Sequence, residues 1–279
     1  MSDASSTRLY DPATYGAALF YEDGEYKEWM LNMCTKCLSA SASSDPETAV
    51  TASTALLRLA DLGAGTGDFS ALLGGRLGTD KEHITCVEPQ AEFYEEIRSR
   101  DLSAVQQTAS AFCQAAAAAP DADAYKFDMV LLKEAIHLVP AAERLDVFRA
   151  IRGMLTGSGG SSGHPESSRL LIVTRPATTE LPFFDAARRV YERDTEPTSL
   201  YVELLGAAGF RETSVHTHSF STHVPVDKWL AMLRGRFWSS LFGFSKQELE
   251  QGVQEVLASL GGADTVELRD TVNFVTARV

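Results

Sequence analysis

In the stretch Leu59-Ala-Asp-Leu-Gly-Ala-Gly-Thr-Gly-Asp68, a short apolar run leads through one acidic residue into three alternating glycines. An amphipathic helix pattern follows directly. Glycine has no side chain, so the backbone can approach a ligand closely at these positions. A strand that ends in such a turn, with a helix N-terminus beyond it, forms a cradle for a nucleotide-like ligand.

Strand and helix patterns alternate on the C-terminal side of this turn, which is typical of a largely parallel α/β sheet. Seven strands are predicted, at residues 57–62, 83–88, 104–108, 127–132, 169–174, 211–220 and 265–278. Helices are predicted at residues 68–77, 141–155, 197–208 and across 225–260, and residues 109–124 form a short helix or a loop. In an open sheet of this kind the ligand binds at the carboxyl ends of the strands.

The same patterns suggest three segments. Residues 1–54 form an N-terminal helical lid and linker, residues 55–224 and 262–279 form the core, and residues 225–261 form a helical cap between strands six and seven. Both additional segments are rich in aromatic residues. We expect them to lie over the ligand edge of the sheet.

Composition excludes several classes of partner. The chain has 279 residues, a formal net charge of −13 and 44% hydrophobic residues. Such an acidic chain is a poor partner for nucleic-acid phosphates or an anionic membrane. No apolar stretch is long enough to span a bilayer, and the first residues lack a signal-peptide pattern. We therefore expect a cytoplasmic protein, either a monomer or a homodimer.

The spacing G-x-G-x-G resembles the first motif of class I S-adenosylmethionine-dependent methyltransferases. A dinucleotide site has the spacing G-x-G-x-x-G, which would place glycine where this chain has Asp68. The pattern from Phe127 to His137, Phe-Asp-x-Val-Leu-x-x-Glu-x-x-His, resembles the fourth motif of the same family. The resemblance covers residues 57–210. It implies a Rossmann-like, seven-stranded, mostly parallel sheet with helices on both faces.

The resemblance also implies S-adenosylmethionine as the cofactor and S-adenosylhomocysteine as the product. Glu88 lies 27 positions after Asp61, at the end of the second strand, and its two oxygens suit the two hydroxyls of a ribose. The predicted cofactor-binding residues are Asp61, Gly63, Ala64, Gly65, Gly67, Glu88, Pro89, Ala109, Ser110 and Lys133.

The predicted catalytic residues are His137 and Glu134, which follow the fourth strand. The His137 imidazole could take a proton from an oxygen or nitrogen nucleophile near neutral pH. The alternative is that His137 caps the next helix or packs structurally. A base is not essential to methyl transfer, since alignment and exclusion of water can suffice.

The acceptor is predicted to be a small molecule, because a protein or RNA acceptor would need an open groove. The predicted substrate-binding residues are Tyr15, Tyr21, Arg175, Arg234 and Trp238. Arginines at the ligand edge favour a carboxylate-bearing metabolite methylated on oxygen or sulfur. An N-methyltransferase of a small amine, a non-catalytic binding protein of the same fold and a nicotinamide-dependent oxidoreductase remain alternatives.

No metal site is predicted. The Cys34-x-x-Cys37 pair lies inside a helix pattern, and no second pair exists to complete a zinc site. His216 and His218 share one face of a predicted strand, with His223 nearby. A third ligand for a metal is not evident there.

Overall fold

A computed structural model describes residues 24–39, 57–155 and 168–279 of the chain. Tyr15 and Tyr21 lie outside these residues. The helices are α1 (Gly24–Ser39), α2 (Asp68–Leu77), α3 (Ala91–Ser99), α4 (Ala109–Ala118), α5 (Arg144–Met154), α6 (Asp185–Asp194), α7 (Thr198–Ala207), α8 (Val226–Arg234) and α9 (Lys246–Ser259). The strands are β1 (Leu59–Leu62), β2 (Ile84–Val87), β3 (Ser103–Val105), β4 (Met129–Lys133), β5 (Arg169–Thr174), β6 (Glu212–Pro225) and β7 (Thr265–Arg278).

The strands form one seven-stranded sheet in the order β3-β2-β1-β4-β5-β7-β6. The pairs among β1 to β5 are parallel, and β7 is antiparallel to β5, with Ile172 opposite Val275. β1 lies between β2 and β4, and the order reverses between β1 and β4. This confirms the predicted α/β fold and places the glycine turn at the point where ligands bind in such sheets.

The chain divides into two compact units. We name the described residues 30–39, 57–155, 168–178, 195–219 and 271–279 the core unit. The second unit comprises, among the described residues, 24–29, 179–194 and 220–270.

The centre of the core unit is apolar on both faces of the sheet. β4 and β5 are buried along almost their whole length, as expected for parallel strands covered on both sides. The helix α5 contributes Phe148 and Ile151, and α7 contributes Leu205, all fully buried. The sheet that carries the glycine turn is therefore a rigid support.

Helix ends explain several observed boundaries. α4 begins where the Thr108 hydroxyl accepts a hydrogen bond from the Ala111 amide, and the alanine-rich stretch that follows is helical up to Ala118. α9 begins with a capping box between Ser245 and Glu248. The region 225–260 is thus two helices, α8 and α9, joined by a short connection.

Two elements differ from the sequence predictions. α6 was not predicted, because residues 175–196 carry a mixed polar pattern. β6 extends to Pro225, five residues beyond its predicted end. None of the helices among the described residues is long and apolar enough to cross a membrane.

Candidate functional site

The glycine turn between β1 and α2 uses backbone that only glycine adopts easily. Gly63, Gly65 and Gly67 all have positive φ angles, of 88°, 55° and 73°. A Cβ on Gly63 would lie 2.6 Å from the Cβ of Ala135, which is closer than side chains pack. Conformation and space therefore both require glycine at position 63.

The turn is fastened to the end of β2. The amides of Gly63 and Ala64 both donate to the carbonyl oxygen of Val87, at 2.8 and 3.2 Å. The next residue, Glu88, accepts from the Gly65 amide through Oε2 and from the Gln90 amide through Oε1, each at 3.0 Å. One carboxylate thus connects the turn after β1 to the loop after β2.

Glu88 is 7% exposed, and burial raises the pKa of its carboxyl above the ordinary value. The two backbone amides oppose this shift because they stabilise the ionised form. Each carboxylate oxygen can accept more than one hydrogen bond, so Glu88 keeps capacity for further donors.

A second brace holds the far side of the turn. Arg100 Nε donates to the carbonyl oxygen of Thr66 at 2.9 Å, and the Arg100 guanidinium lies 3.8 Å from the Asp68 carboxylate. Sequence reasoning missed Arg100, since an arginine at the end of a helix gives no signal of its tertiary partner.

Asp61, at the end of β1, is 2% exposed. Its Oδ2 accepts from the Ser70 hydroxyl at 2.6 Å, while its Oδ1 is buried without a hydrogen-bond partner. Burial raises the pKa of Asp61 to about 6, and Ser70 and Lys133 oppose the shift. A buried carboxylate oxygen without a partner is costly, so this site fits a ligand that brings a hydrogen-bond donor.

The end of β4 carries charged residues that face different partners. The Lys133 ammonium lies 5.0 Å from the ring centroid of Phe69, which follows the glycine turn in α2. The next residue, Glu134, forms an ion pair with Arg175 from the end of β5. Both side chains of the pair are about four-fifths buried.

Glu134 has a φ of 53°, a left-handed conformation that a residue with a side chain adopts rarely. Burial alone would raise the pKa of Glu134, but Arg175 and Lys133 hold it below the ordinary value. Glu134 is therefore an ionised carboxylate bound to its own arginine. That arrangement is different from a carboxylate poised to remove a proton.

His137 lies in a short helical turn, Ile136–Leu138; the residue as a whole is exposed, although protein packs around its imidazole. Burial of the imidazole lowers its pKa below the ordinary histidine value, Glu134 opposes this shift, and the charges of Arg175 and Arg144 add to it. The imidazole is consequently neutral near pH 7 and able to accept a proton.

The remaining predicted cofactor residues lie at the same edge of the sheet. Pro89 is exposed beside Glu88. Ala109 and Ser110 form the first turn of α4, with Ser110 buried. Together with the glycine turn, Glu88 and Lys133, they follow the carboxyl ends of four neighbouring strands, β3, β2, β1 and β4.

Two predicted substrate residues lie in the second unit. Arg234 donates two hydrogen bonds to Glu250, at 2.8 and 2.9 Å, across an exposed contact between α8 and α9. Trp238 is 8% exposed and packs against Phe183 and Trp229. Its indole Nε1 is buried without a hydrogen-bond partner.

The cysteine pair of α1 has no marks of a reactive or metal-binding site. Cys34 is fully buried, and burial raises the pKa of both thiols. Within the described ranges, no group of three or more histidine, cysteine, aspartate or glutamate residues could hold a metal ion.

Comparisons with known proteins agree with this geometry. Residues 59–159 match the model of a family described as methyltransferase domain. No curated protein matches the sequence significantly.

Two solved structures illustrate the likeness of fold. A cyclopropane synthase of Mycobacterium tuberculosis is 12% identical, with a TM-score of 0.56 over 97% of this chain and 95% of that one. Phosphoethanolamine N-methyltransferase 2 of Haemonchus contortus, solved with S-adenosyl-L-methionine, is 13% identical, with a TM-score of 0.50 over 97% of this chain and 60% of that one. At these identities the likeness concerns the fold.

The methyltransferase-domain match over residues 59–159, together with the fold, supports a methyltransferase enzyme that uses S-adenosylmethionine.

Proposed function

We propose that this methyltransferase acts on a small molecule whose nucleophilic oxygen or nitrogen loses a proton to His137. The observation that carries the proposal is the neutral imidazole of His137, on a residue that reaches the surface, beside a carboxylate that is already engaged by Arg175. Of the two predicted catalytic residues, His137 has the freedom to meet an acceptor. Glu134 instead has a structural role, as the ionised partner of Arg175.

The core unit fits the cofactor at three places. The glycine turn brings backbone without side chains to the ligand edge of the sheet, Glu88 retains acceptor capacity for the ribose hydroxyls, and Asp61 Oδ1 is a buried acceptor in need of a donor. We propose that these residues, with Lys133, Pro89, Ala109 and Ser110, hold S-adenosylmethionine. The cofactor supplies a methyl group on a positively charged sulfur.

The chain's own residues then have three tasks. The glycine turn and Glu88 fix the cofactor at the carboxyl ends of the strands. The Glu134–Arg175 pair fixes the loop that carries His137. His137 accepts the proton from the acceptor, which makes a weak nucleophile stronger near neutral pH.

The chemistry of the acceptor follows from the arginines. The sequence predicts a carboxylate-bearing acceptor methylated on oxygen or sulfur because of Arg175 and Arg234. The first is bound to Glu134 and the second to Glu250, so each guanidinium is already neutralised within the protein. A hydroxyl or amine acceptor, which uses His137, agrees better with these contacts.

The cytoplasmic location and the binding roles of Tyr15, Tyr21 and Trp238 stay predictions. A nicotinamide-dependent oxidoreductase is disfavoured by Asp68, which occupies the position of the third glycine in that fingerprint.

The acceptor class can be tested by measuring release of S-adenosylhomocysteine from S-adenosylmethionine over a panel of small hydroxyl, amine, thiol and carboxylate compounds. We expect turnover with hydroxyl or amine compounds and its loss in His137→Ala. Turnover restricted to thiols or carboxylates, and equal in His137→Ala, would contradict the proposal.

A further inference from the structure

The outer strand of the sheet is β6, whose inner neighbour is β7. Within the core unit, side-chain hydrogen bonds join Ser214 to Thr276 at 2.7 Å and Ser219 to Thr271 at 2.9 Å. Five steps forward along β6 correspond to five steps back along β7, so the two strands run antiparallel. The other edge of β6 faces no strand of the described residues.

Burial changes abruptly between these two strands. In β7, Val272, Phe274 and Val275 are completely buried. In β6, every residue from Ser214 to Ser219 is exposed, including Val215 at 42%. Successive residues of a strand point to opposite faces, so both faces of this segment are open. This segment contacts the sheet mainly along the edge that pairs with β7.

The segment Thr213–Ser219 also lacks the features that usually protect an exposed edge. Natural edge strands carry lysine, proline or bulges that prevent further pairing. This segment reads Thr-Ser-Val-His-Thr-His-Ser and contains no charged residue and no proline. Glu212, at its start, is paired with Arg278 at 3.1 Å.

The distribution of charge favours a second copy of the chain as the partner of this segment. The chain has a net charge of −13, so two copies repel each other over most of their surfaces. The β6 segment is neutral, so this repulsion is smallest there. A two-fold axis brings the same segment together from both copies in antiparallel order, which is the order that a self-complementary edge requires. Serine, threonine and histidine side chains facing each other across such a pair can hydrogen-bond.

We propose that the outer edge of Thr213–Ser219 binds a second copy of this chain. The two β6 strands pair antiparallel, and the sheet continues from one molecule into the next. The proposal is independent of the methyl acceptor.

Sedimentation of the full chain over a range of concentrations tests the proposal. We expect a reversible dimer for the wild type. The double variant Val215→Lys with Thr217→Lys opposes like charges across the two strands and should weaken dimerisation about tenfold or more. Leu72→Lys, which adds a charge at a side chain of equal exposure (41%) on α2, should leave the dimer intact.

Hydrogen exchange of the wild-type β6 amides supplies a second measurement that needs no variant. The amides of Thr213–Ser219 should exchange more slowly at dimer-forming concentrations than at high dilution. A monomeric wild type, a dimer that persists in the double lysine variant, a dimer lost in Leu72→Lys, or β6 exchange that is independent of concentration would each overturn the proposal. A monomer that instead binds an extended peptide at β6 would also overturn it.

Discussion

Glu88 already binds two backbone amides, those of Gly65 and Gln90, through its two carboxylate oxygens. At the scale of single residues, this contact gives the glutamate two tasks. It shapes the glycine turn, and it presents its remaining acceptor capacity to a ligand. Asp61 and His137 likewise have environments that set their chemistry. Each of the three can be tested by one substitution.

Glu88→Ala should weaken binding of S-adenosylhomocysteine by about 1–3 kcal/mol, the cost of losing hydrogen bonds to a charged group. Calorimetric titration measures the change. Glu92→Ala, which removes an exposed glutamate from the next helix, is the matched control and should bind as the wild type does. Equal affinities for the Glu88 and Glu92 variants would refute the proposed ribose contact.

His137→Ala should reduce turnover about 100-fold or more while cofactor affinity stays unchanged, because a general base contributes to the chemical step alone. The pKa of His137 is lowered, and the base works in its neutral form. The wild-type rate should therefore fall on the acid side, with a midpoint below pH 6.5, the ordinary histidine value. Unaltered turnover in His137→Ala would assign the imidazole a structural role.

Asp61 should make stability depend on pH. Burial raises its pKa in the folded state to about 6, against an ordinary value of 3.8. The folded state therefore binds the proton more tightly than the unfolded state, so this contribution is present below pH 3.8 and is lost as pH rises to about 6.

Melting temperatures of the wild type and of Asp61→Asn, measured across that interval without ligand, isolate the effect. The difference between them should shift in favour of the asparagine variant as pH rises from about 4 to about 6. A difference that is constant over this interval would show that Asp61 ionises normally.

At the scale of elements, the loop after β4 depends on a pair contributed by two strands. Glu134 follows β4, Arg175 follows β5, and the left-handed backbone at Glu134 is held by its neighbours. Removing one member of a largely buried pair leaves the other charge uncompensated.

Arg175→Gln should therefore destabilise the protein by about 1–2 kcal/mol, and adding Glu134→Gln should recover part of the loss. Chemical denaturation of the two variants measures both effects. The exposed Arg234–Glu250 pair is the control, and Arg234→Gln should cost about 0.5 kcal/mol or less. Equal losses for Arg175→Gln and Arg234→Gln would mean that the Glu134–Arg175 pair has no special role.

The sequence predicts some elements much better than others, for physical reasons. Gly63 and Gly67 stand where the backbone has positive φ and little space, so glycine itself signals the turn. The braces of that turn carry no such signal. Arg100 reaches Thr66 across 34 positions, and this contact exists only after the sheet and helices have assembled.

The β6 strand, in contrast, is an element whose length the sequence predicts poorly. A strand is recognised from sequence by apolar residues on alternate positions. The exposed part of β6 buries neither face, so its pattern of serine, threonine and histidine gives a poor indication of its length. The sequence also could not predict the ion pair of Arg175, since its partner Glu134 lies close to it only in the folded structure.

At the scale of the whole molecule, the sheet order explains why the predicted cofactor residues lie together. β1 is flanked by β2 and β4, and their carboxyl ends carry the glycine turn, Glu88 and Lys133. Gly63 and Lys133, which are 70 positions apart in the sequence, thus meet at one edge of the sheet.

The central claim is that this edge binds an adenosyl cofactor rather than a dinucleotide. Calorimetric titration of S-adenosylmethionine, S-adenosylhomocysteine and NADH into the full chain tests it most directly. The account predicts micromolar binding of both adenosyl ligands and no binding of NADH. Binding of NADH, or no binding of either adenosyl ligand by the folded wild type, would contradict the account.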